Sequence, residues 1–456
     1  MKTKIFIPAD LLNLAELFPP DSPLYIVGGY VRCGLMGLEY GDLDLTSRLT
    51  PNELKSLLSD TPFKIVDSNL RVGTVIIKSK NFTAEYTTFR VDSYPTGGNH
   101  SPSKVVFTND IALDARRRDF KINAIYYDVL KDEIIDPVGG LKDLNDSVLS
   151  TTRTPEEVFA EDGLRILRLV RFAAELNFNI DSETFSVAKE LVNQILDLSK
   201  ERIAVELKKI LTADCRYRIK NNEFAHFKGV KLLDDVGALC LIFPPLQDGK
   251  GLKQNPKYHD YDVFEHSLTT VKFATADIRL AALLHDVAKP FCLKRDGNMY
   301  AHPSEGGIMA RRLLGKKGLK LSNKEIDFTA RLIENHMYNL DNQTKDGKLK
   351  VFIAKNCDII KPLVNLMRAD AMAAKGFHSY SADRIESLYD SMINSSTPMK
   401  ISDLKVKGND LISLNVPPSS RSAVMNKTLE NCIKNNLTDY ENQFKEMKKI
   451  VKEMIK

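Results

Sequence analysis

Apolar residues recur along this chain with two different periods. Up to about residue 145 they come in short runs bounded by turn residues, and the runs 24–27, 43–46, 63–67, 72–78, 82–90, 104–108 and 125–129 predict strands. Two helices fit the gaps, one over 30–37 and one over 51–59 behind the start signal Thr50-Pro51. The stretch from Asp92 to Asn109 is rich in Ser, Pro, Gly and Asn and reads as a mobile loop. From Pro155 onward the period becomes helical, over 156–178, 182–196, 201–212 and 221–238, and the rest of the chain reads as almost wholly helical. The expected architecture is therefore α+β, a strand-rich head followed by a mostly α-helical body.

Punctuation divides this body further. A Pro/Gly/Lys stretch from Phe243-Pro244-Pro245 to Lys257 and the sequence Ser395-Ser396-Thr397-Pro398 both read as boundaries. Four domains are expected: a head at 1–145, a helical neck at 146–245, a histidine-bearing section at 246–395 and a helical tail at 396–456. With 456 residues and 43% hydrophobic content there is ample chain for several cores. No apolar run reaches the ~18 residues of a membrane span, and the first apolar run is too short for a signal peptide. Six cysteines without Cys-x-x-Cys spacing argue against a disulfide framework or zinc ribbon and for a reducing, cytoplasmic setting. A net charge of +5 permits nucleic-acid binding through local patches without demanding it.

The first candidate chemistry lies in Gly41-Asp42-Leu43-Asp44. In an extended segment Asp42 and Asp44 project together, and paired carboxylates repel unless a cation lies between them. Mg²⁺ prefers such hard oxygen ligands and completes its shell with water and substrate phosphates. The glycine pair Gly28-Gly29, closing the apolar run 24–27, lets backbone N–H groups approach a polyphosphate. Together these parts point to metal-assisted nucleotidyl transfer; a lone Asp-x-Asp is otherwise a solvated turn. Glu85, in the alternating segment 82–90, is either a third acidic group beside the pair or an ordinary edge-strand residue.

Further along, Arg116-Arg117-Arg118 precede an apolar segment, as suits bidentate binding of phosphate, or form a solvated basic face. Asp119 and Asn123 share a face if the segment is helical and are then placed to bond a ribose. In 159–174, Leu164, Leu167, Val170 and Ala174 form a buried stripe, with Asp162 and Arg165 as neighbours at i and i+3. Such a pair offers acceptors and donors to a nucleobase edge, or is a plain helical salt bridge.

These segments, Val27-Gly28-Gly29-Tyr30-Val31-Arg32, Gly41-Asp42-Leu43-Asp44, Arg117 to Ala124 and Glu161-Asp162-Gly163-Leu164-Arg165, occur in the order and spacing of one family. Over about residues 20–240 the chain resembles the class II tRNA nucleotidyltransferases, or CCA-adding enzymes, and the related bacterial poly(A) polymerases. The resemblance implies a polymerase-β-like nucleotidyltransferase head with Asp42 and Asp44 as catalytic, Mg²⁺-binding carboxylates. It implies that Gly28, Gly29, Arg32 and Arg118 serve the triphosphate and that Asp119 and Asn123 lie near the ribose. Asp162 and Arg165 would read the base of CTP or ATP, Glu161 would hold their helix, and the 92–109 loop would take part in the switch from C to A addition. The family usually has Asp where this chain has Cys33, which puts the holding of Arg32 in question.

The histidine section resembles the HD phosphohydrolases, with His266, His285, Asp286 and Asp370 in the positions that would bind a divalent metal. His302 and His336 would serve a second metal or a phosphate, and His226 and His378 read as surface residues. The segment 404–411 looks like the tail of HD-bearing CCA enzymes, and Lys445, Lys448, Lys449, Lys452 and Lys456 on one helix would track an RNA backbone.

The function these expectations imply is addition of C, C and A to the tRNA 3′ end from CTP and ATP. Pyrophosphate is released, no nucleic-acid template is used, and no membrane is involved. The alternatives are a partial CC- or A-adding enzyme, a poly(A) polymerase, or an HD phosphohydrolase with an RNA-binding head. A full-length 92–109 loop argues against a CC-adding enzyme, and Val72-Gly73-Thr74-Val75 against a poly(A) polymerase.

Overall fold

The computed structural model describes residues 5–94 and 103–454, and the chain divides into two compact units, Met1–Pro244 and Pro245–Lys456. The strands of the first unit are β1 (Tyr25–Val27), β2 (Leu43–Ser47), β3 (Lys64–Asn69), β4 (Thr74–Lys78), β5 (Thr83–Thr88), β6 (Arg90–Ser93), β7 (Lys104–Phe107), β8 (Tyr126–Asp128) and β9 (Glu133–Ile135). Seven of them form one sheet in the order β3-β4-β5-β2-β1-β8-β9. All its pairings are antiparallel except β2 with β5.

Strand alternation separates the two faces of this sheet. Ile26, Leu43, Leu45, Ala84 and Tyr86 point into the main core, where the helix Gly29–Met36 contributes Tyr30 and Val31. On the other face Val27 and Tyr126 pack with Phe89, Ala115 and Ala124. The helix Pro51–Leu57 starts on a full capping box, with Thr50 and Glu53 exchanging bonds and Pro51 in the first turn. Among the described residues no helix is long and apolar enough to cross a membrane.

Several expected elements divide. The run 82–90 is two strands: the Phe89 N–H donates to Ser47 O and the chain then leaves the sheet. Arg90 pairs with Phe107 instead, so β6 and β7 make a separate antiparallel ribbon. The expected mobile loop 92–109 thus begins and ends in a paired ribbon, and its middle, 95–102, lies outside the described residues.

The expected helix 156–178 is also two helices, Pro155–Glu161 and Leu164–Glu175. Asp162 between them is extended, at φ −154° and ψ 107°. A Cβ on Gly163 would lie 2.8 Å from the backbone of Gln194, so this junction packs against the 3-10 turn Val192–Asp197. That turn in turn ends the expected helix 182–196 early, at Glu190. A short parallel pair, Val148–Leu149 with Asn179–Ile180, interrupts the otherwise helical neck. The segment holding Asp119 and Asn123 is not an α-helix: Phe120 is extended and Lys121–Asn123 is a 3-10 turn.

His226, expected at the surface, is 2% exposed in the helix Ala225–Asp235, with Nδ1 3.3 Å from Asp214 Oδ1. His378 is exposed. The second unit is helical throughout, and Leu404, Leu411, Val424, Cys432, Met447 and Ile450 form an apolar cluster of the tail. Lys445, Lys448, Lys449 and Lys452 are exposed on the helix Tyr440–Met454; Lys456 lies outside the described residues.

Ile26 is fully buried in the middle of the sheet. Ile26→Ala should destabilise the first unit by about 2–5 kcal/mol. Because the chain has no tryptophan, far-UV circular dichroism in urea is the measurement that checks this.

Candidate functional site

Three strands bring the acidic residues together. Asp44 on β2 stands opposite Val27 on β1 and opposite Glu85 on β5, and Asp42 is the residue before β2. Asp42 and Glu85 are exposed, whereas Asp44 is half-buried. Burial, with Glu85 and Asp42 adding to it against the pull of Arg118, pushes the Asp44 carboxyl up to about 6. The parallel register of β2 and β5 is thus what makes Glu85 a third carboxylate at this edge.

The same edge borders a cavity of about 980 Å³ lined by Gly28, Gly29, Asp42 and Asp44. Gly28 has φ +77°, and a Cβ there would lie 3.5 Å from Asp44 Oδ2 and 3.8 Å from Arg118 Nη1. A bare backbone between a carboxylate and a guanidinium suits close approach of a phosphate. The helix Gly29–Met36 begins at this point and adds its free N–H groups.

Arginines form the opposite wall, and each is held by partners within the fold. Arg118 donates to Tyr126 Oη (3.2 Å) and Asp114 (3.3 Å), while the fully buried Asp114 also accepts from Arg117 Nε (2.7 Å) and Tyr126 Oη (2.6 Å). Arg168 pairs with Asp119 at 2.6 Å, and Asn123 Nδ2 donates to Asp119 at 3.1 Å. Burial alone would raise the Asp119 carboxyl; the Arg168 charge and the Asn123 amide overcome it and hold it at about 2. Asp119 and Asn123 therefore meet without a helix, across the 3-10 turn.

Arg32 is buried at 3% exposure. Its Nη1 donates to Asn123 Oδ1 and its Nη2 to Tyr217 Oη (3.4 Å), and it lies over the Phe172 ring, 5.0 Å from the centroid. Cys33, the residue that departs from the family pattern, has its Sγ 3.4 Å from the same Tyr217 Oη. Arg32 is thus held by an amide and a phenol. Its Nε is buried without a hydrogen-bond partner among the described residues.

The pair expected to read the base, Asp162 and Arg165, has a different arrangement from the expected one. Because the helix breaks at Asp162, Asp162 and Arg165 are not helical neighbours, and each has another partner. Asp162 Oδ2 pairs with Arg202 Nη2 at 2.7 Å, and Asp162 Oδ1 accepts from Leu164 N–H at 3.0 Å. Arg165 Nη1 donates to Glu161 (2.7 Å) and Val158 O (3.0 Å), its Nη2 to Arg117 O (3.1 Å), and its guanidinium lies 5.8 Å from the Tyr94 ring centroid. Glu161 also binds Arg153 at 2.6 Å. Asp162, Arg165 and Arg202 all line the cavity.

Asp114, Arg168, Arg202 and Tyr217 were not singled out from the sequence. For Arg168 a signal existed, since Arg165, Arg168 and Arg171 recur at three-residue spacing in the helix Leu164–Glu175. Leu164, expected in the buried stripe, is half-buried and lines the cavity.

A second cluster lies in the second unit. His266 is on the helix Val263–Phe273, His285 and Asp286 follow the helix Arg279–Leu284, and Asp370 is on the helix Ile360–Lys375. His302 opens the helix His302–Leu314, and His336 follows the helix Asn323–Asn335. Asp286 Oδ2 is 3.2 Å from His285 Nε2 and 3.7 Å from His266 Nε2, which is 2.8 Å from Asp370 Oδ1. Asp286 Oδ1 is 3.2 Å from His302 Nε2 and 3.8 Å from His336 Nε2.

Backbone carbonyls at Ala282, Met299 and Ile333 lie 2.6–2.8 Å from Nδ1 of His285, His302 and His336. Those contacts select the tautomer that turns an Nε2 lone pair inward. His285 Nε2 and Asp286 Oδ1 are buried without a hydrogen-bond partner among the described residues. Orphaned imidazole and carboxylate atoms converging in this way fit a divalent cation, and two sets of three ligand residues are close enough to hold one: His266, His285 and Asp370, and His285, Asp286 and His336. Lys289, not singled out from the sequence, reaches Asp286 Oδ2 at 2.6 Å and donates to Gln254 Oε1.

Family profiles match three stretches of the chain: the poly A polymerase head domain at residues 24–150, the probable RNA and SrmB- binding site of polymerase A at 177–220, and the HD domain at 263–374. Among curated proteins, the CCA-adding enzyme of Staphylococcus epidermidis is 39% identical over 188 residues, 41% of this chain and 45% of that one. The CCA-adding enzyme of Limosilactobacillus reuteri is 38% identical over 212 residues, 44% of this chain and 51% of that one. The chain thus matches about half the length of these relatives.

Among solved structures, the Bacillus stearothermophilus CCA-adding enzyme in complex with CTP aligns with a TM-score of 0.68 at 21% identity, over 97% of each chain. The Thermotoga maritima CCA-adding enzyme complexed with tRNA gives 0.57 at 18% identity, over 98% of this chain and 96% of that one. At these identities the likeness is one of fold.

The raised Asp44 carboxyl generates a pH prediction. Between the ordinary value of 3.8 and about 6 the folded state holds a proton that the unfolded state has lost. In the absence of a cation, stability therefore falls as pH rises through that window. A divalent cation at Asp44 competes with the same proton. Its affinity should rise with pH by up to about tenfold per unit below 6 and level off above. Mn²⁺ titration of wild type and Asp44→Asn between pH 5 and 7 measures this; an identical profile for the two would show that Asp44 holds no cation.

Proposed function

We propose that this chain, which belongs to the class II CCA-adding enzyme family with a poly A polymerase head, an RNA-binding segment and an HD domain, adds C, C and A to the 3′ end of tRNA from CTP and ATP. The observation that carries this reading is the edge where Asp44, with Glu85 opposite it on β5 and Asp42 just before β2, faces Gly28 and Arg118 across a few ångströms. In this reading Asp42, Asp44 and Glu85 hold divalent cations, with Mg²⁺ the choice that suits an all-carboxylate edge. Bound there, the cations supply activation of the tRNA 3′-hydroxyl and neutralisation of the leaving pyrophosphate.

The chain's own residues do the rest. The bare backbone at Gly28-Gly29 and the start of the following helix receive the triphosphate, and Arg118, fixed by Asp114 and Tyr126, pairs with its oxygens. Arg32, pre-oriented by Asn123 and Tyr217, lines the same cavity. Asp119 keeps Asn123 and Arg168 in place near the ribose position. Asp162 and Arg165 offer an acceptor and a donor to the base, so no nucleic-acid template is required. Solved relatives in complex with CTP, with ATP and with tRNA support these partners for this chain. Lysines on the tail helix are suited to the backbone of a folded RNA.

A second activity is favoured by one specific observation: Asp286 lies between two sets of imidazoles, His266 with His285 and His302 with His336. Divalent cations, if bound here, would be held by His266, His285 and Asp370 and by His285, Asp286 and His336, and would supply activation of water for phosphoester hydrolysis. Lys289 beside Asp286 would meet a phosphate oxygen.

One experiment separates the two sites. A tRNA ending before CCA is offered CTP, ATP or both with Mg²⁺, and bis(p-nitrophenyl) phosphate is offered with Mn²⁺. Asp42→Ala should lower nucleotide addition by at least about a hundredfold while leaving phosphodiester hydrolysis intact. Asp286→Ala should do the reverse and lose bound metal on elemental analysis. Normal extension by Asp42→Ala would refute the assignment of the head.

A further inference from the structure

One ion pair in the cavity has no part in the roles above: Arg202 Nη2 to Asp162 Oδ2 at 2.7 Å. Arg202 sits in the first turn of the helix Lys200–Leu211, where its N–H donates to the capping Ser199 Oγ, so its backbone is fixed. Asp162 is the extended residue between two helices, and its other oxygen accepts from Leu164 N–H. The carboxylate is thus gripped at both oxygens from two different elements. Its side chain is 14% exposed, against 35% for Arg202, so the pair is partly desolvated.

Cytosine and adenine each present an amino donor beside a ring-nitrogen acceptor. Uracil and guanine present a carbonyl beside an N–H. A carboxylate held in one plane accepts from the amino group and repels the carbonyl. The same carboxylate free to rotate can turn away from the carbonyl, and the distinction weakens.

We propose that Arg202 is a specificity-determining positioning residue: its ion pair fixes the Asp162 carboxylate that separates amino-bearing from carbonyl-bearing bases. This inference rests on the nucleotide-transfer reading of the head. It adds to that reading a residue on the neck helix that need not touch the nucleotide.

The test measures equilibrium binding of CTP and UTP with Mg²⁺, and tRNA extension with each of the four nucleotides, for wild type, Arg202→Gln and Arg202→Lys. In Arg202→Gln the CTP-to-UTP preference should fall roughly tenfold, while turnover with CTP stays within about threefold. Arg202→Lys, which keeps the charge, should restore most of the preference. An Arg202→Gln protein that weakens all four nucleotides equally, with its preference unchanged, overturns the inference. Wild-type protein that prefers CTP in binding but never extends tRNA overturns the transfer reading, and the binding ratio still decides the role of Arg202. Wild-type protein that binds neither nucleotide overturns both.

Discussion

The first unit depends on keeping many guanidinium groups close together in one cavity. Like charges at such separations repel, and burial makes each one costlier. The fold interleaves carboxylates: Asp114 between Arg117 and Arg118, Asp119 against Arg168, Glu161 between Arg153 and Arg165, Asp162 against Arg202, and Glu175 with Glu206 around Arg171. Phe172 adds an aromatic spacer, with Arg32, Arg168 and Arg171 each 4.1–5.2 Å from its ring centroid. Removing one carboxylate from such a set leaves a buried charge uncompensated, at a cost of about 3–5 kcal/mol. The network is therefore a structural requirement before it is a binding surface. Its function follows because the guanidiniums it fixes have planes and edges in set directions.

The second unit uses the opposite arrangement. There several buried polar atoms have no hydrogen-bond partner among the described residues: Asp286 Oδ1, His285 Nε2 and His266 Nδ1. In the first unit the cavity arginines other than Arg32 and Arg216 each have a carboxylate partner among the described residues. In the second, imidazoles oriented by backbone carbonyls surround the buried Asp286 carboxylate, their Nε2 atoms 3.2–3.8 Å from its oxygens. A saturated network suits a ligand that arrives with its own charge and reads geometry. An unsaturated one suits a cation that completes the coordination.

The sequence carried the residue types and the order of the motifs, and with them the mixed head, the helical body and most strand positions. Those follow from local periodicity, which is strong in segments such as 43–46 and 201–212. What local pattern could not supply was where periodic runs break. The run 82–90 divides at Phe89 because Arg90 pairs with Phe107, far away in sequence, instead of continuing along β2. The helix over 156–178 breaks because Gly163 abuts Gln194. Partner choice was equally invisible. Asp114 looks like any helix-start acid, and Tyr217 like any aromatic in a neck segment, until the fold brings each beside an arginine. His226 was misjudged for the same reason, since its burial comes from tertiary packing rather than from its neighbours in sequence.

The break at Asp162 changes the chemistry of the motif around it. In a continuous helix Asp162 and Arg165 would neutralise one another at i and i+3. Extended backbone at Asp162 and the turn at Gly163 separate them, and two other residues, Arg202 and Glu161, take the outer side of each. Under the proposed function, a donor and an acceptor each anchored from behind, rather than bonded to one another, would meet a base edge without either giving up the other. The tight contact of Gly163 with Gln194 leaves no room for a Cβ at 163, so a side chain there would shift the backbone that separates the pair.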